Sequence, residues 1–523
     1  MPRTPLFTLF RDSLRAADLL EQRHVSLDEA VTADWSRRRF LRTTAAATAG
    51  AAVASLPLRG RAQDAARVVI LGGGTAGLTC AYRLQQNGVG SMILEAAPRV
   101  GGRMYSLQNY FPDNQVAELG GELIDTTHHA IRNLARELEV ELLDLTYLDG
   151  SNGHNVFVDG KLSKSDADWI EAMRPLAKAI RGAVGENGEN CDVSFNSGTE
   201  EGKRLDAMSI EEWLHGVDFD PRLRKLIEAA YVGEFGLELG EQSALNLLCL
   251  METAPGTFGL FGESNERFRA KEGNGTIPIR LAQRLDRPVD LGSAVEAIRK
   301  RGDGYELTVR RGASVSTIRA DFVVTTIPLT VMRAAVNLDG LDLPRLQLDT
   351  IRNLGYGTNS KMMIGVDARP WVQMNCTAYT FTDLPFQACW ETSRGQRGTH
   401  GILTNFTGGR YGANLGNGTL QNRATEFAAM ADKVFPGVAK AYTGKAVRQI
   451  WPAYEWTRGS YACYRPGQYQ RYFGALAEPV GKLLFAGEHT MEENGFMNAA
   501  VESGERAASQ LLGMLGLQQV RAA

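Results

Sequence analysis

The sequence predicts an α/β protein in which a parallel sheet wound with helices is joined to a second domain of mixed sheet plus helices. Three observations carry this reading. The β-branched run Arg67–Leu71 passes through a glycine turn into a helical stretch ending at Gly88, and Ser91–Leu94 returns as a second strand closed by Glu95, which makes a βαβ unit. A meander runs from Val295 to Ile298, through a Gly302-Asp303-Gly304 turn to alternating Tyr305, Leu307 and Val309, then through Ala320–Thr326 to Pro328. Residues 123–260 and 331–450 are instead rich in helical periodicity, with Trp169, Ile170, Met173, Leu176 and Ile180 on one face of a predicted helix.

Size and composition agree with this. A chain of 523 residues, 44% hydrophobic and 22% charged, can bury a large core. Its 56 glycines, about 11% against a usual figure near 7%, suit close approach of backbone to a ligand. With 57 Lys+Arg against 60 Asp+Glu the net charge is −3, so no basic excess is present for nucleic acid. Cys80, Cys191, Cys249, Cys376, Cys389 and Cys463 lie far apart, without the close pairs that zinc or dithiol chemistry needs, and neither a metal site nor a disulfide scaffold is predicted. No uninterrupted apolar stretch is long enough to span a membrane.

Ahead of the first strand, Ser36-Arg37-Arg38-Arg39-Phe40-Leu41 precedes the uncharged segment Thr43–Leu58 and the small-residue site Gly60-Arg61-Ala62. This resembles a twin-arginine signal peptide over residues 1–62, which implies handling by the twin-arginine export machinery, passage in the folded state and a periplasmic location. Its removal leaves 47 Lys+Arg against 54 Asp+Glu, a mature charge of −7.

The glycine turn of the βαβ unit reads Gly72-Gly73-Gly74-Thr75-Ala76-Gly77. In a Rossmann-like unit Gly72 permits the tight turn, Gly74 lets backbone approach a pyrophosphate, Gly77 allows close helix packing, and the helix N-terminus around Thr75 and Ala76 offers oriented N–H groups to the anion. Glu95, at the end of the second strand, can accept both ribose hydroxyls.

Directly after Glu95 comes Ala96-Ala97-Pro98-Arg99-Val100-Gly101-Gly102-Arg103, where a second glycine pair and an arginine can again meet phosphate or flavin. Together these motifs are similar to the FAD-binding flavoproteins that include monoamine oxidases, polyamine oxidases and L-amino acid oxidases. The resemblance extends along nearly all of the chain after residue 66. Glu118-Leu119-Gly120-Gly121-Glu122 looks like the family segment that passes the flavin ring, and Val295 stands where a backbone contact to adenine is made. Leu484-Phe485-Ala486-Gly487-Glu488-His489-Thr490 followed by Gly495-Phe496-Met497-Asn498-Ala499-Ala500-Val501-Glu502-Ser503-Gly504 closely resembles the family's C-terminal signature. It reads as a strand, a loop with a carboxylate, and a helix whose first amides near Met497 can stabilise negative charge on the reduced cofactor. The resemblance therefore implies a Rossmann-like FAD domain assembled from 66–122, 265–330 and 451–515, and a substrate domain from 123–264 and 331–450.

Four residues stand where the family's chemistry is carried. Lys361, in the apolar run Ser360–Val366, reads by default as a surface lysine, whereas the family places there a lysine that holds a water against flavin N5. Tyr461 matches one wall of the family's aromatic cage, Phe496 falls where the second ring stands, and Trp456 belongs to the same aromatic crowd, with Trp451, Tyr454 and Tyr464. Ser460 occupies the position of the cysteine that joins flavin in monoamine oxidases, so non-covalent FAD is predicted. His128 and His129 read as surface or structural histidines, and His489 has no assigned role. The implied activity is oxidation of the C–N bond of an amine or L-amino acid, with O2 reduced to H2O2; a homodimer is compatible with it. The alternatives are a flavin amine dehydrogenase or desaturase using another acceptor, and a non-catalytic flavin-binding protein. Glu122 and Asp125, with no arginine between residues 118 and 128, favour an amine, a diamine or a cationic amino acid, with L-amino acids next.

Overall fold

The computed structural model describes residues 66–145, 155–164, 167–253, 260–262 and 264–517. The predicted export signal lies outside these residues. Chain tracing begins with β1 (Val68–Leu71), α1 (Thr75–Gln86) and β2 (Ser91–Glu95), within a residue or two of the sequence reading. Every residue of β1 is buried, as befits a parallel strand covered on both faces. Its register pairs Val68 with Ser91 on one side and with Phe322 on the other. The full parallel sheet runs in the order Leu483–Phe485, Phe322–Thr325, β1, β2, Asp290–Leu291. The segments forming this sheet are thus far apart in the chain, as the resemblance implies.

The meander forms from Ser293–Arg301, Gly304–Arg311 and Ser314–Ala320. The sequence reading joined its last strand to the next one; the structure separates them. Residues 314–319 are mostly exposed and only Val315 and Ile318 among them are apolar, so the hydrophobic pattern does not reveal a strand there, while Phe322–Thr325 is wholly buried and belongs to the parallel sheet.

A second, seven-stranded sheet contains β3 (Ser360–Val366), every residue of which is buried. Its order is Tyr442–Ile450, β3, Gly401–Thr407, Ala388–Glu391, Thr380–Thr382, Asn155–Val158, Lys161–Ser163, antiparallel except where Thr380–Thr382 meets Asn155–Val158. The periodic helix spans Ala167–Val184 and buries Trp169, Met173, Leu176 and Ile180. One expectation is corrected here: Cys191 and Cys249, separated by 58 in sequence number, form a disulfide with Cα atoms 5.9 Å apart. Cysteine spacing along the chain carries no information about such a long-range pair.

Candidate functional site

The glycine turn after β1 has the geometry that its sequence demands. Gly72 has φ +111°, and a Cβ on Gly77 would lie 2.1 Å from the Gly72 carbonyl oxygen, so only glycine lets α1 start so close to the strand. Gly74 differs: a Cβ there would meet nothing nearer than the Gly102 Cα at 3.9 Å. The two glycine loops are tied by the amide of Gly101 donating to the Gly73 carbonyl at 2.9 Å. Gly74 and Gly102 thus face one another at contact distance, and neither carries a side chain. The first turn of α1 starts at this junction with Gly74 as its N-cap, no side-chain cap and no acidic residue, so its leading amides and the positive end of its dipole are free for an anion. This fits a pyrophosphate. Each Glu95 oxygen accepts one amide, from Gly73 at 2.6 Å and Ala97 at 2.7 Å, which fixes the carboxylate beside Ala96 with lone pairs left for ribose hydroxyls. Val295 is buried at a bulge in the strand that follows Leu291, and Leu291 pairs with Glu95.

The segment Glu118–Glu122 is held from three sides. A Cβ on Gly120 would lie 1.9 Å from the Arg103 carbonyl oxygen, and one on Gly121 would lie 2.8 Å from the Met497 side chain. From β3, the Lys361 ammonium donates to the carbonyls of Glu118 (3.1 Å) and Gly120 (2.9 Å) and to the Glu122 carboxylate (2.8 Å). Lys361 is buried, with its ammonium 5.1 Å from the Trp390 ring centre. All three of its hydrogens are therefore committed within the protein. Here Lys361 pins the Glu118–Glu122 polypeptide. Glu122 also accepts from the Thr392 hydroxyl, and the charge of Lys361 helps keep its carboxyl below the ordinary range despite burial. Asp125 accepts amides from Asn265 (3.0 Å) and Glu266 (2.6 Å). Lys361 offsets the charge of Glu122, whereas Asp125 lies close enough to Glu234 and Glu266 for its charge to act on both.

Glu488 organises the aromatic walls. Its carboxylate pairs with Arg103 at 2.8 Å and accepts the amides of Ala462 at 3.4 Å and Gly495 at 2.9 Å, the neighbours of Tyr461 and Phe496. Gly487 has φ +119° at the turn leading into it. Arg103 also donates to the Ser460 carbonyl at 2.6 Å. Its side chain thus serves the protein rather than pointing solely at a ligand. The Tyr461 ring lies against Gly495, where a Cβ would be 3.2 Å away, and its hydroxyl donates to the carbonyl of Glu234. Phe496 packs its ring 5.0 Å from that of His128, which is buried while His129 is exposed. His128 accepts the Asp125 amide at 3.0 Å, a structural role. Phe496 is the N-cap of α2 (Met497–Met514), whose first turn likewise has neither side-chain cap nor acidic residue. Trp456 is half-buried, but the indole that reaches the Glu118–Glu122 segment is that of Trp451, donating to the Leu119 carbonyl at 3.2 Å. The Ser460 hydroxyl donates to Asn359 at 2.6 Å, and Cys463 is buried beside Asn246.

Two residues escaped the sequence reading. Glu234, half-buried next to the Tyr461 hydroxyl, has its carboxyl pushed up to about 8 by burial and by the nearby charges of Glu266 and Asp125. Glu266, hydrogen-bonded to Tyr379, is pushed up to about 7 by burial, with Asp125 adding to the shift. Glu234 sits in the last turn of the helix Pro221–Phe235 among Arg222, Arg224, Lys225 and Glu228, so no sequence signal set it apart.

Comparison with known proteins agrees with this geometry. The signature of the flavin containing amine oxidoreductases matches residues 75–512. An L-amino acid dehydrogenase of Synechocystis is 25% identical over 469 residues, covering 86% of this chain and 95% of the relative. A flavin-containing amine oxidase of Danio rerio is also 25% identical, covering 86% of each chain. The solved structure of cyclohexylamine oxidase from Brevibacterium oxydans shares the fold, with TM-score 0.74 at 21% identity over 86% of this chain and 99% of the other. The cofactor is FAD, and the chain belongs to the flavin-containing amine oxidoreductase family.

Proposed function

We propose that the protein is an FAD-dependent oxidase of amines or L-amino acids. The substrate C–N bond is oxidised to an imine, water hydrolyses the imine to an aldehyde or 2-oxo acid plus ammonia, and the two electrons and two protons reduce O2 to H2O2. Bound FAD supplies the redox chemistry. The observation that carries the reading is the convergence of the glycine cradle, the Lys361-pinned Glu118–Glu122 segment and the N-terminus of α2 on the two aromatic walls. In this reading Gly72, Gly74, Thr75, Ala76, Gly77, Glu95, Gly102 and Val295 hold the dinucleotide, while Gly120, Gly121, Gly487 and Met497 present backbone to it. Tyr461 and Phe496 flank a neutral amine and fix its Cα–H by shape and π-electrostatics. Lys361 and Glu488 are positioning residues. The chain segments of the two sheets support a cofactor domain of 66–122, 265–330 and 451–515 and a substrate domain of 123–264 and 331–450.

Glu234 and Glu266 favour substrates with a second cationic group, a diamine or a cationic amino acid. The charge of Glu266 raises the proton affinity of Glu234, and Asp125 raises that of both; this repulsion is relieved when a cation sits among them. A peroxide-coupled screen of aromatic monoamines, diamines and all L-amino acids tests this: cationic substrates are expected to give the highest kcat/KM, and preference for neutral amino acids over every amine would refute it. The same reading places the mature enzyme in the periplasm, exported through the Ser36–Leu41 motif. The Cys191–Cys249 disulfide supports an oxidising compartment. Cell fractionation tests it: periplasmic protein undiminished by Arg37→Lys with Arg38→Lys would oppose it.

A further inference from the structure

A second cavity, of about 520 Å³, lies outside the amine site and the dinucleotide cradle, and none of the residues assigned above to either site lines it. Its lining includes four arginines, Arg333, Arg458, Arg465 and Arg471, and no acidic residue. Arg465 is paired with Glu241, at 3.5 Å. Arg333 spends one nitrogen on the carbonyls of Arg352 and Leu354, both at 3.0 Å, and Arg458 donates to the Glu455 carbonyl at 3.3 Å. These partners are dipoles that leave the positive charge uncompensated. One carboxylate against four guanidiniums leaves a surplus of three positive charges around one cavity. Burial and the charge of Arg465 both act against the Arg333 cation, which a bound anion would favour.

Guanidinium forks match phosphate and carboxylate oxygens in pairs of parallel hydrogen bonds. A single carboxylate cannot offset a surplus of three; two linked phosphates, together carrying about −3, can. The volume suits a small molecule rather than a lone ion. We propose that this cavity is a binding site for a compact anion bearing two adjacent phosphates. Its lining segment Gly355–Thr358 is hydrogen-bonded to the segment carrying Tyr461: the Gly357 amide donates to the Tyr461 carbonyl (2.9 Å), the Ser460 amide to the Gly357 carbonyl (2.9 Å) and the Cys463 amide to the Gly355 carbonyl (3.0 Å). An anion clamping that lining segment therefore stiffens the backbone of Tyr461, and the site acts on amine affinity rather than on chemistry.

The test is titration of the FAD-loaded enzyme with inorganic pyrophosphate by calorimetry, with sulfate at matched ionic strength as control and flavin absorbance followed to verify that FAD stays bound. Saturable pyrophosphate binding, weakened about tenfold by Arg471→Gln and by Arg458→Gln separately, with KM for the amine shifted and kcat unchanged, is expected. These two side chains are exposed, so the variants should fold with wild-type melting temperatures. ADP binding as tightly as pyrophosphate assigns recognition to the diphosphate itself, and tighter ADP binding assigns the site to nucleotides; either supports the proposal. Binding matched by sulfate, or unchanged in both arginine variants, overturns it.

Discussion

Lys361 and Glu122 form a buried ion pair whose members stabilise one another and, through them, the Glu118–Glu122 segment. Removing one member leaves the other charged and unpaired, at a cost of about 3–5 kcal/mol. Lys361→Met is therefore expected to lower the melting temperature, and adding Glu122→Gln is expected to restore much of it, whereas a purely cofactor-directed lysine would show no such rescue. In stopped-flow measurements Lys361→Met should slow reoxidation by oxygen more than reduction by substrate, and equal, near-unchanged rates would leave the residue without a role in the reaction. Glu234 supplies a pH test. Burial raises its carboxyl, so the folded protein binds this proton more tightly than the unfolded chain; its contribution to stability is present below the ordinary carboxyl range and is lost as pH rises toward about 8. Glu234→Gln should thus gain stability relative to wild type at pH 8 but not at pH 4. It should also flatten the rise in diamine kcat/KM between pH 6 and 8 while leaving monoamine turnover unaffected. Lys361, Tyr461 and Phe496 could be singled out because motifs surround them. Glu234 and Glu266 could not be paired in advance, because their proximity depends on how a helix end and a distant loop meet.

At the scale of the element, the turn between β1 and α1 separates glycines that the fold requires from one that the cofactor requires. Gly77→Ala drives a Cβ into the Gly72 carbonyl and should destabilise the protein even without FAD. Gly74→Ala makes only an ordinary van der Waals contact with the Gly102 Cα, in a backbone conformation alanine accepts, so the FAD-free protein should melt as wild type while FAD affinity falls by tenfold or more. Parallel thermal melts and flavin-binding titrations of the two variants check this contrast, and equal losses in both would remove the distinction. The βαβ unit was legible because its signals are local: a β-branched run, a glycine turn and a helical repeat within one stretch. The seven-stranded sheet was not. Its Asn155–Val158 strand pairs with Thr380–Thr382, and nothing in either short segment specifies so distant a partner.

Across the whole molecule, the chain weaves repeatedly between two sheets, and the Cys191–Cys249 disulfide closes a loop between two of its helical segments. Loop entropy gives that bond a contribution of about 4 kcal/mol. Cys191→Ser with Cys249→Ser is expected to unfold at clearly lower denaturant concentration, and an unchanged midpoint would show that the bond adds nothing. Family membership was legible from motifs at both ends of the chain, because the parallel sheet gathers both ends around one dinucleotide site. The electron acceptor was not, because oxygen leaves no sequence motif comparable to a phosphate-binding turn. The most direct measurement of the central claim is therefore anaerobic: the FAD-loaded enzyme is mixed with each amine of the panel until the flavin absorbance bleaches, then oxygen is admitted and peroxide is counted. An amine oxidase gives full bleaching by at least one cationic amine and one H2O2 per flavin as colour returns. Absence of bleaching by every amine and amino acid, or colour returning only with an artificial acceptor and without peroxide, would contradict it.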